Sequence, residues 1–160
     1  MLELGKSGLH GTAKGTLPVL EDGVVVATLH ASNWKEAATA DVGGRAWVFT
    51  RAGNRELTGR WAADPEDAVR VRAHQDSYWK GTWSVDLEGT PVGVESVSRW
   101  KSAHRFSAGG QLVAESGTTG RWQYRPTLTA TPRLSIDHAV FLLLFELVLN
   151  NRAAAAAATV

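Results

Sequence analysis

Ser135-Ile136-Asp137-His138-Ala139-Val140-Phe141-Leu142-Leu143-Leu144-Phe145-Glu146-Leu147-Val148-Leu149-Asn150-Asn151 is the stretch on which the fold turns. Ser135 and Asp137 are both N-cap residue types, and Asn150-Asn151 can close a helix. Between them, Ala139 to Phe145 is apolar on every face, not along one stripe. A helix of that kind is either buried or spans a membrane. From Asp137 to Asn150 is 14 residues, about 21 Å at ~1.5 Å per residue. A span takes about 20 predominantly apolar residues. This run also carries Glu146 inside it and Asp137 and His138 at its start. The expectation is a soluble core helix and no transmembrane span.

Outward from the helix, the chain reads as strands. From Tyr78 to Glu88, Trp79, Gly81, Trp83, Val85 and Leu87 alternate with Tyr78, Lys80, Thr82, Ser84, Asp86 and Glu88. Period two of this sort marks a half-buried strand. Trp122 and Tyr124 likewise alternate with Arg121, Gln123 and Arg125. Further strands are expected over 23–30, over 45–51 with Trp47 and Phe49 on one face, over 55–61, 67–74 and 111–115, and over 92–100. In the last, Val97 breaks the parity of Val92, Val94 and Trp100, which points to a bulge near Glu95-Ser96. Glu21-Asp22-Gly23, Val42-Gly43-Gly44, Ala52-Gly53-Asn54, Glu88-Gly89 and Ala108-Gly109-Gly110 are hairpin chemistry.

Composition agrees. Seven tryptophans and 16 glycines suit pleated surfaces joined by tight turns. Since one helix must be enclosed by something, the expectation is an all-β domain closed as an antiparallel barrel around a buried apolar C-terminal helix. A single domain covers 1–152, and 153–160 is an alanine-rich tail expected to fray. With no cysteine, disulfides and thiolate metal sites are excluded, and the cytoplasm is the simplest compartment. The N-terminus lacks the basic start and apolar run of a secretory signal. A formal charge of +1 gives no global drive toward nucleic acid, and no nucleic-acid partner is expected.

Leu134 to Leu144 resembles the closing helix of the LURP-one-related family, with His138 where an aromatic is more usual. Asp41-Val42-Gly43-Gly44-Arg45-Ala46-Trp47-Val48-Phe49 resembles that family's Asp-x-x-Gly hairpin and the apolar strand after it. The resemblance covers residues 9 to 152. It implies a tubby-like or scramblase-like fold, with about twelve strands around a central hydrophobic helix. It also implies a role in binding anionic lipid or protein at a membrane periphery. No tubby phosphoinositide motif matches residue by residue.

The search for chemistry finds little. There is no phosphate loop, no His-Glu-x-x-His and no nucleophile elbow. The five histidines, His10, His30, His74, His104 and His138, have no metal-ligand spacing. No metal, no cofactor and no catalytic residue is expected. Glu146 and His138 share a helix face, and the favoured reading sets both near helix ends, reaching solvent or backbone partners; a buried Glu146 would need a hydrogen-bonding partner. Between Val97 and Arg133, Arg99, Lys101, Arg105, Arg121, Arg125 and Arg133 stand against Glu115 alone. Of these, Arg99, Lys101, Arg105, Arg121 and Arg125 are the candidate anion-binding residues. The expected function is a non-catalytic binding domain for anionic phospholipid headgroups or a protein. The alternative is a carrier or enzyme using a cavity inside the barrel.

Overall fold

The computed structural model describes residues 1–30, 37–53, 55–98, 102–120 and 125–159. Its strands are β1 (Leu2–Leu4), β2 (Thr16–Glu21), β3 (Val24–His30), β4 (Ala37–Val42), β5 (Arg45–Ala52), β6 (Glu56–Trp61), β7 (Val71–Ser77), β8 (Thr82–Leu87), β9 (Thr90–Ser98), β10 (Ala103–Ala108), β11 (Gln111–Thr119) and β12 (Arg125–Ala130). They are followed by α1 (Ile136–Ala158). Each strand pairs antiparallel with its neighbours in sequence, and β1 closes the barrel on β12 with Leu2 opposite Leu128. Closure leaves no bare strand edge.

Because the strands alternate in direction, successive connections fall at opposite ends. At the end where α1 begins, four connections are two-residue turns: Asp22-Gly23, Gly43-Gly44, Glu88-Gly89 and Gly109-Gly110. Both residues of each have positive φ, as in Asp22 at 50° and Gly23 at 82°, the type I′ geometry that matches strand twist. Asp41 and Asp86 tighten two of these turns by accepting the N–H of Gly44 (3.2 Å) and Gly89 (2.9 Å). Wider connections, including 5–15 and 78–81, lie at the end where α1 leaves.

The inward faces of the strands pack on α1. Phe141 lies 5.9 Å from Phe49, and Phe145 lies 5.1 Å from Trp83 and 6.3 Å from Phe106, ring centroid to centroid. Ala139 to Glu146 is buried without a break. One strand position must be glycine to admit this packing: a Cβ on Gly59 would fall 2.6 Å from Val71 Cγ2 and 2.9 Å from the Phe49 ring.

Several expectations need correction. Trp79 and Tyr78 are not part of β8; they sit in the β7–β8 turn, and Trp79 is 93% exposed. Trp83, Val85 and Leu87 do face the core. Residues 67–70 precede β7, and Val69 is exposed. The bulge between β9 and β10 falls at Val97, skipped between Ser98↔Ala103 and Ser96↔His104. β1, β2, β4 and β10 are not among the strands expected from the sequence; β1 has only three residues, and β2 buries Pro18, Val19 and Leu20 in succession, opposite a bulge at Val26 of β3. The strand around Trp122 and Tyr124 lies outside the described residues apart from Arg125, where β12 starts.

The helix is also longer than expected. Ser135 caps it through its side chain, accepting the N–H of His138, and the alanine tail continues it to Ala158. At 23 residues, or about 35 Å, it is long and apolar enough to cross a bilayer. The length argument therefore decides nothing. What decides the fold is that Ala139–Glu146 is already surrounded by strands, with exposed alanines beyond.

Candidate anion-binding groove at the barrel rim

The barrel has no open lumen along α1, because the helix occupies it. A carboxyl group, Glu146, lies within this core, 1% exposed in mid-helix. It is not at a helix end, contrary to the favoured sequence reading. Its Oε1 lies 2.8 Å from His104 Nδ1, while its buried Oε2 has no hydrogen-bond partner. The partner comes from β10, where His104 shares the inward parity of Phe106; that parity was the available signal. His138, eight residues earlier, sits at the other end and lies 3.2 Å from Glu88. Glu146 and His138 thus serve separate pairs.

The end where α1 enters is closed by a polar network. Asp137 accepts from Trp47 Nε1 (2.8 Å) and Arg45 Nη2 (2.7 Å). The two segments that carry the family resemblance, 41–49 and 134–144, therefore meet at this aspartate. Arg70 pairs with Asp64 (2.7 Å) and Glu88 (3.3 Å), which raises its pKa, the hydrogen bond that Arg70 donates to Asp64 contributing most. Arg70 also stacks 3.4 Å over Trp61. Each cation in this cluster has a carboxylate, so it fastens the helix and offers nothing to an outside ion.

The opposite rim differs. A groove of about 930 Å³ opens between the last turns of α1, the β5–β6 hairpin and the end of β7. Arg51 and Arg55 line it from the hairpin, Tyr78 from the β7–β8 turn, and Arg152 from the helix. Val148, Asn151, Ala155 and Ala156 complete the helical wall; with Arg152 they form one face at spacings of three and four. No acidic residue lines the groove among the described residues. Arg152 is held 5.2 Å over Trp83, and its Nε is buried without a hydrogen-bond partner. Burial pushes its pKa down, and the charge of Arg51 adds to the effect. Arg55 lies 5.9 Å from the ring of Tyr78.

None of these arginines was among the sequence candidates. Arg51 carried a signal, a charge on the inward parity of Trp47 and Phe49. Arg152 carried one too, four residues after Val148, but only on a helix that continues past Asn150. Of the original candidates, Arg105 is paired with Glu115 (2.9 Å) and Arg125 with Glu3 (3.1 Å). Hydrogen bonding to Glu115 raises the pKa of Arg105. Neither lines the groove. Arg99, Lys101 and Arg121 lie outside the described residues. Among the described residues, no group of three or more His, Asp or Glu could hold a metal ion.

No family model, curated protein or solved structure matches the chain.

Proposed function

We propose that this chain is a non-catalytic binding domain of tubby-like kind that takes an anionic phospholipid headgroup in the arginine groove. The observation that carries the reading is the convergence of Arg55 and Arg152 on a groove with no carboxylate among its described lining residues. Guanidinium forks match phosphate oxygens two at a time. The apolar wall of Val148, Ala155 and Ala156 suits the non-polar part of an amphiphile. The alternative, a carrier or enzyme with an interior cavity, is disfavoured because α1 fills the barrel. This reading puts the protein at the periphery of a membrane whose cytoplasmic leaflet is anionic.

The test is co-sedimentation with phosphatidylcholine vesicles, with and without phosphatidylserine, at low and high salt. The wild type should sediment with anionic vesicles at low salt and release at high salt. Arg55→Ala and Arg152→Ala should each weaken partition about fivefold, at ~1 kcal/mol per basic residue near a charged surface. Arg105→Ala and Arg125→Ala should change it less than about twofold, since each is paired with a carboxylate and neither lines the groove. Equal, negligible sedimentation of the wild type with neutral and anionic vesicles would sink the proposal.

A further inference from the structure

We infer that the β7–β8 turn is an interfacial anchor: Trp79, with Tyr78 beside it, seats in the headgroup layer of an anionic bilayer. The inference rests on the lipid reading of the groove and adds a contact that the groove does not make.

Among the described residues, Trp79 is the most exposed of the large apolar side chains, at 93%, and Tyr78 is 68% exposed. By contrast, Trp47 and Trp83 are buried in the core. The rings of Tyr78 and Trp79 meet edge to face, 5.8 Å apart, so the pair presents one continuous aromatic surface. The turn does not need them. It is made by Gly81 N–H donating to the Ser77 carbonyl (3.0 Å), Lys80 N–H donating to Ser77 Oγ (3.2 Å), and the positive φ of Gly81. Ordinary turn chemistry would place small polar residues at 78 and 79.

Position gives the exposed pair its partner. Tyr78 is a wall of the arginine groove and lies beside Arg55, while exposed Lys80 follows Trp79. Amphipathic rings next to basic side chains are the arrangement that partitions to a membrane–water interface, rings at headgroup depth and cations on the phosphates. The tip and the groove share one rim, so a single orientation of the barrel on a bilayer satisfies both. At the opposite end, Val24 is exposed in the β2–β3 hairpin and would point away from the surface.

The chain has no cysteine, so one introduced thiol makes a clean reporter. Lys80→Cys and Val24→Cys, each labelled with an environment-sensitive fluorophore, are titrated with phosphatidylserine-containing vesicles, with sedimentation followed in parallel. The label at 80 should shift to the blue and be quenched by lipid carrying a quencher in its upper acyl chain; the label at 24 should do neither. Trp79→Ala should weaken vesicle partition at least about tenfold, the effect of withdrawing one large side chain from an apolar environment. It should leave binding of a water-soluble inositol phosphate within about twofold. Protein that sediments with vesicles while the label at 80 stays unshifted overturns the anchor and leaves the groove reading standing. A shift at 24 in place of 80 overturns it as well. Trp79→Ala that keeps full vesicle binding but loses a soluble protein partner would assign the tip to protein recognition and overturn the bilayer assignment. Loss of sedimentation altogether in the wild type is the failure of the groove reading, read independently of the label.

Discussion

Glu146 shows how one side chain can set the terms for a core. A carboxyl group at 1% exposure needs a hydrogen-bonding partner in place of the water it has lost. His104, itself 18% exposed at the side chain, is that partner. Removing one member of a buried hydrogen-bonded pair leaves the other unsatisfied, at about 1–3 kcal/mol. His104→Ala should therefore lower stability by about that amount in a denaturant titration. Replacing both groups by apolar residues removes the orphan with the pair, so His104→Leu with Glu146→Leu should recover most of the loss. A double variant no more stable than His104→Ala would mean that the pair contributes shape and not hydrogen bonding.

At the scale of the element, α1 holds the barrel together from within. Its apolar half touches strands from around the circumference, through Phe49 on β5, Trp83 on β8, and Phe106 and His104 on β10. Leu143 is 1% exposed in the middle of that half. Leu143→Asp places an unpaired charge there at a cost of several kcal/mol, comparable to the whole stability of an ordinary domain of about 5–15 kcal/mol. No soluble folded protein is expected. Leu143→Ala should fold with a clearly lower Tm, since such truncations cost about 2–5 kcal/mol. A Leu143→Asp chain that melts like the wild type would exclude an enclosed helix.

At the scale of the molecule, the two barrel ends have different work. Tight I′ turns, the β6–β7 connection and paired ions close the entry of α1, whereas the exit carries the arginine groove and the aromatic tip. Binding on loops held by a rigid scaffold is the common division of labour. A filled barrel also predicts the behaviour of the interior. A small apolar molecule of the size carried by open barrels should produce no rise in Tm even in large excess, because a ligand stabilises only a site it can occupy. A concentration-dependent rise in Tm that survives Arg55→Ala and Arg152→Ala would restore the interior-cavity alternative.

Much of this architecture was legible from local pattern. The all-round apolarity of Ala139 to Phe145 required enclosure, the alternation of Trp83, Val85 and Leu87 set an inward face, and the Gly-rich pairs set the hairpins, because each signal is a property of neighbouring residues. Other features were decided only when distant segments met. Trp79 shares the parity of Trp83, yet the Ser77–Gly81 turn takes it out of the strand, and parity has no meaning in a turn. The partner of Glu146 is not legible beside it in the sequence, because it lies 42 residues away on β10. The arginine groove joins residues 51, 55 and 152, which become neighbours only because the barrel closes and the helix threads it. Helical and pleated periodicities come from the backbone's own geometry and can be read along the chain. Charge pairing and pocket formation depend on which surfaces closure brings within a few ångströms, and that is a property of the fold alone.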